Sequence, residues 1–119
     1  MRRIVLAALF ALVAMPAFAA EPNAPEQCIT GPIEKSYGGT PWLVVSCSDG
    51  KSLVFVAKEG SKAAPFEFDL TFTGNDYDLA GHGKGDRKYT AAAYADLQKL
   101  TGKDVLALLN ATKAAKPKN

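Results

Sequence analysis

FEFDLTFTGNDYDLAGHGKGDRKY, residues 66–89, decides how this chain is read. Its first half alternates strictly. Phe66, Phe68, Leu70 and Phe72 point one way, and Glu67, Asp69, Thr71 and Thr73 the other. A period of two is the mark of a strand with one buried face. Gly74-Asn75 is a suitable type II′ pair for a two-residue reversal. That loop sets Thr73 against Asp76 and fixes every later pair. Phe72 then faces Tyr77, Leu70 faces Leu79, Phe68 faces Gly81 and Phe66 faces Gly83. Phenylalanine rings opposite glycines can cover the bare backbone, so Gly81 and Gly83 have a packing explanation. The other face pairs Thr71 with Asp78, Asp69 with Ala80, and Glu67 with His82, the chain's one histidine.

Upstream, WLVVSCSDGKSLVFV, residues 42–56, reads as a second hairpin around Asp49-Gly50, with a type I′ turn. Its register sets Leu43 against Val56, Val44 against Phe55, and Val45 against Val54. Both faces are apolar, which predicts a central position covered on both sides. Residues 28–37 form a further strand broken by Gly31-Pro32, suited to an edge or a bulge. Gly38-Gly39-Thr40-Pro41 is a turn flanked by Tyr37 and Trp42, aromatics read mainly as core cover and secondarily as a contact for a partner or glycan.

Helices follow. Thr90 can cap a helix over 91–100, and Thr101 a second one, with Asp104 completing an approximate capping box. Val105, Leu108, Leu109 and Thr112 form one helical stripe. Gly102 divides the two helices, unless they are one kinked helix. The fold class is therefore α+β: an antiparallel sheet of about five strands, including two clear hairpins, with one or two C-terminal helices on one face.

The start of the chain has a different character. Arg2 and Arg3 precede an uncharged run, 4–15, too short to span a bilayer; Pro16 and Ala17-Phe18-Ala19 follow. This is the pattern of a secretory signal peptide over 1–19, cleaved after Ala19. Residues 20–27 form a proline-bearing flexible leader, 28–114 a single domain, and 115–119 a flexible tail. The expected location is a bacterial periplasm or the exterior, with no stable membrane insertion after signal removal. In that setting Cys28 and Cys47 are expected to form one disulfide, stabilising by about 3 kcal/mol in the chain-entropy model. A reactive thiol or metal pair would need a histidine near either cysteine, and none is there.

The chain carries 14 Lys and Arg against 12 Asp and Glu, and Arg2 and Arg3 account for the excess. A neutral mature chain has no long-range field to draw in nucleic acid or an anionic membrane. No cofactor is implied. The glycine run 81–85 is not a phosphate loop, since no Gly-Lys-Ser/Thr follows, and no βαβ unit surrounds it. GNDYDLAGHGKGD, 74–86, is similar to calcium-binding nonapeptide repeats and makes Asp76, Asp78 and Asp86 candidate ligands. The nine-residue period and stacked copies are missing, so solvated acids beside a turn are the plainer reading. The sequon at Asn110 is discounted because it falls in a helix.

The hairpin at 42–56 also resembles the strand–Cys–Asp–Gly–strand pieces of small periplasmic lysozyme inhibitors. Their serine-rich inhibitory loop has no counterpart here, and the helical C-terminus departs from them. No residue role is carried over.

The preferred function is that of a small exported, non-enzymatic binding protein, with a periplasmic inhibitor or immunity protein as one concrete form. Its contact surface comprises Glu67, His82, Lys84, Arg87, Lys88 and Tyr89, with 84–89 read as a mobile connecting loop. The first alternative is a small hydrolase or metal-dependent enzyme using His82 with Glu67 or Asp78. The second is a structural or stress-response envelope protein without a discrete site.

Overall fold

The computed structural model describes residues 27–115; the signal-peptide expectation for 1–19, nearly all of the leader, and the tail from 116 lie outside them. Five strands run β1 (Thr30–Tyr37), β2 (Thr40–Ser46), β3 (Ser52–Ala57), β4 (Phe66–Phe72) and β5 (Tyr77–Gly83). Two helices follow, α1 (Arg87–Leu97) and α2 (Gly102–Ala114). The strands form one antiparallel sheet in the order β1-β2-β3-β4-β5, each beside its sequence neighbour.

The register of β4 and β5 is the one the alternation dictates, from Phe72↔Tyr77 to Phe66↔Gly83. Thr73 N–H donates to the Asp76 carbonyl at 2.8 Å and closes the hairpin. The β2/β3 register also matches the reading, with Val45↔Val54 and Leu43↔Val56. Its turn does not. Gly50 N–H donates to the Cys47 carbonyl, so Ser48 and Asp49 are the central residues and no type I′ turn forms at Asp49-Gly50. The cause is the Asp49 carboxylate. It accepts from Lys51 N–H, from Ser52 N–H and from the Ser52 hydroxyl, and this local bonding holds a wider loop. Cys28 and Cys47 form the expected disulfide, tying the entry of β1 to the end of β2.

β1 is an edge strand, and its register breaks between Thr30 and Ile33, at Gly31-Pro32. Both helices sit on one face of the sheet. Beneath them lie Trp42, Val44, Leu53, Phe55, Phe68 and Leu70, all buried, meeting Ala93, Leu97, Val105, Leu108 and Leu109. The Trp42 indole N–H donates to the Tyr37 carbonyl and the Thr40 hydroxyl, so Trp42 and Tyr37 are core residues.

The expectation that the 42–56 hairpin is covered on both sides is wrong. Its second face, Leu43, Val45, Val54 and Val56, is half-buried or exposed, with Val56 38% exposed. Two helices that both follow the sheet can roof one face, and they leave the other open among the described residues.

The first helix also begins earlier than read. Asp86, not Thr90, is the cap: its carboxylate accepts Lys88 N–H at 2.9 Å, and Thr90 is buried inside α1. Asp is at least as good a cap as Thr, and a capping side chain decides the start over propensity. α2 begins as expected, with Thr101 and Asp104 bonded reciprocally. Residues 98–100 separate the helices, so there are two.

Candidate functional site

The open face is built by alternation. Odd positions of β2, even positions of β3, odd positions of β4 and even positions of β5 share it through the registers given above. At its centre are Leu43, Val45, Val54 and Val56. On the β4–β5 side stand Glu67, Asp69 and His82. On the β1 side Lys58 forms an ion pair with Glu34 at 3.0 Å, half-exposed at both ends.

Glu67 and His82 are cross-strand partners, with Oε2 to Nε2 at 3.7 Å. Asp69 joins them: one ligand-type atom from each of Glu67, Asp69 and His82 lies within 4.8 Å of the others. The sequence reading missed Asp69, although the signal was present. A period of two puts 67 and 69 on one face, and His82, opposite 67, is diagonal to 69. The reading instead offered Asp78 as a partner for His82. Asp78 faces Thr71 and lies four residues along the same strand, about 13 Å away at the usual strand rise.

Burial, first, and the Asp69 carboxylate beside it, second, hold the Glu67 carboxyl above the usual range, with His82 pulling the other way. Removing the neighbouring charge by Asp69→Asn is expected to lower the Glu67 pKa toward the ordinary value, read by carboxyl-carbon NMR titration. An unchanged pKa would mean that Asp69 does not act on Glu67. The arrangement can share a proton or hold a cation at the surface. Neither cysteine is free to act beside it as a nucleophile, both being in the disulfide.

The calcium candidates are not brought together. Asp76 accepts Tyr77 N–H at the hairpin turn, Asp78 stands near that end, and Asp86 caps α1 beyond the other end of β5. A seven-residue strand, about 20 Å long, separates the two ends.

Where the sequence suggests a mobile loop, residues 84–89 are a hydrogen-bonded connection that runs directly into α1. Lys84 and Gly85 N–H groups both donate to the Pro65 carbonyl, and Asp86 N–H donates to that of Lys62. Arg87, Lys88 and Tyr89 form the first turn of α1. This short connection is held because its amides find carbonyls in the 58–65 loop, a pairing that local sequence does not show. Lys62 and Lys88 ammonium groups lie 6.0 and 5.7 Å from the centre of the Tyr89 ring. With Lys84 and Arg87 they make this end of the molecule basic.

On the helix side, a Cβ on Gly81 would meet Phe68 at 2.6 Å and Phe66 at 2.8 Å. The rings cover the strand there, as the register implied. Beside them a groove of about 360 Å³ runs between β5 and α1, lined by Phe66, Phe68, Gly81, Thr90, Ala91 and Tyr94 among others. Among the described residues no helix is long and apolar enough to cross a membrane. Comparison with protein-family models, with curated proteins and with solved structures finds no match to this chain.

Proposed function

We propose that the protein is a small exported, non-enzymatic binding protein that docks a protein or envelope partner on the open face of its sheet. A periplasmic inhibitor or immunity protein is one such role. The observation that carries this reading is the apolar centre Leu43, Val45, Val54 and Val56, on a face the helices do not cover. Glu34, Lys58, Glu67, Asp69 and His82 edge that centre, and Lys84 and Arg87 follow at the β5 end. An apolar middle inside a charged rim is the make-up of a protein-binding surface. The disulfide and the signal-like segment at 1–19 support export.

The test uses the chain from residue 20 as bait for an envelope extract, with the captured protein identified and its Kd measured by calorimetry. Val56→Lys is expected to weaken the complex about tenfold or more, since the charge lands in the apolar middle. Alanine at Glu67, His82, Lys84 and Arg87 should weaken it less. Leu106→Lys, at an exposed position on α2, should leave it unchanged. Equal affinity for Val56→Lys and the native chain would reject this face. Failure to capture any saturable partner would favour the structural envelope role.

The grouping of Glu67, Asp69 and His82 supports a second reading, metal-dependent hydrolysis. Titration with Zn²⁺ separates the two. Saturable uptake lost in His82→Ala would favour the enzyme, and no uptake would favour the binding protein.

A further inference from the structure

Among the described residues the sheet has two edges, β1 and β5. β1 carries the features that discourage strand addition: a register break at Gly31-Pro32, and Lys35 within the strand. β5 carries neither. Its seven residues, YDLAGHG, contain no proline or lysine and pair with β4 in unbroken register.

The hydrogen-bond alternation tells which β5 groups are free. Thr73 and Asp76 form a bonded pair, and beyond the other end Lys84 N–H donates to Pro65. Between them the bonded pairs are therefore Thr71 with Asp78, Asp69 with Ala80, and Glu67 with His82. The backbone N–H and C=O groups of Leu79 and Gly81 point the other way, out of the sheet.

We infer that β5 pairs antiparallel with β5 of a second copy of this chain, about a two-fold axis at Ala80. Alternation allows only registers that set the outward residues of one strand against those of the other. With Ala80 on the axis, Leu79 faces Gly81 of the second copy, and Asp78 faces its His82. Each match occurs twice. A carboxylate thus meets an imidazole, which can donate an N–H to it in either protonation state. The half-buried Leu79 meets a residue with no side chain, at the mouth of the groove lined by Phe66, Phe68 and Tyr94. A shift of the axis to Leu79 sets Asp78 against Ala80 and loses the polar match. A shift to Asp78 sets that residue against its own copy, like charge against like. The favoured register joins two five-stranded sheets into one and leaves both apolar centres exposed; it shares His82 with the rim of the partner docking proposed above, and Ala80→Lys, outside that rim, tests it separately.

The test is the oligomeric state of the chain from residue 20, by light scattering and sedimentation at about 0.5 mM, well above the Kd expected of a weak but specific dimer. A dimer is expected. The amides of Leu79 and Gly81 should show concentration-dependent protection from hydrogen exchange. Ala80→Lys places two ammonium groups at the axis while facing Asp69 within its own sheet. It should be monomeric with unchanged circular dichroism. His82→Asp should weaken the dimer about tenfold, and adding Asp78→Lys should restore it. A native chain that stays monomeric at that concentration would overturn the inference. So would a dimer that Ala80→Lys leaves intact, because the contact would then lie elsewhere.

Discussion

Trp42→Ala is expected to destabilise the domain by about 3–5 kcal/mol, a large share of the stability of a domain this small. Trp42 is fully buried and lies 5.3 Å from the Phe68 ring and 6.5 Å from that of Phe66, centre to centre. Alanine would leave a cavity under the helices. It would also remove the indole donor from the Tyr37 carbonyl and the Thr40 hydroxyl, both in the buried turn region. Trp42→Phe keeps most of the ring and loses only the donor, so its cost should be smaller, about 1–3 kcal/mol. Urea unfolding with the disulfide intact measures both. A loss below about 1 kcal/mol for Trp42→Ala would show that the core does not rest on this side chain.

Gly38→Ala is expected to cost about 3 kcal/mol or more, while the same change one residue on, at Gly39, should cost about 1–2. Both residues have left-handed backbone, φ 61° and 79°. The strain of adding a Cβ to such a backbone is therefore common to the two. What differs is the space. A Cβ on Gly38 would lie 2.4 Å from the Ala93 nitrogen and 2.7 Å from the Ala92 carbonyl carbon, both backbone of α1. Nothing lies within 4 Å of the corresponding position at Gly39. Relieving the clash means moving a helix, and it would stretch the bond from Gly38 N–H to the Asp96 carboxylate, now 2.7 Å. Thermal unfolding of the two variants provides the comparison. Equal losses would show that α1 does not rest on this turn.

These two effects mark what could be read in advance. The place of Trp42 beside the Gly38-Gly39-Thr40-Pro41 turn suggests core cover first and a partner contact second, and its burial is the former. That α1 crosses directly over Gly38 depends on how the helices return across the sheet, which no local pattern encodes. The site divides the same way. Glu67 opposite His82 followed from a two-residue loop and a period of two. Asp69 followed from the same arithmetic but requires looking along the diagonal. The pinned segment 84–86 could not be found at all from its own residues, because its acceptors belong to Pro65 and Lys62.

By itself the sequence determined strand spacing, the β4–β5 register and the cap of α2, set by alternation, turn chemistry and reciprocal side-chain bonds over short spans; the β2–β3 register came out right on a turn that does not form, and the disulfide followed from the export signal. The alternation of β4 marks its Phe66, Phe68, Leu70 face for burial, but only tertiary structure decided which face of the 42–56 hairpin joins it. Those residues are apolar on both sides, and the β3–β4 pairing, Leu53 with Leu70 and Phe55 with Phe68, makes the choice. α1 and α2 have buried stripes enough for that one face, which leaves Leu43, Val45, Val54 and Val56 as the surface a partner can meet.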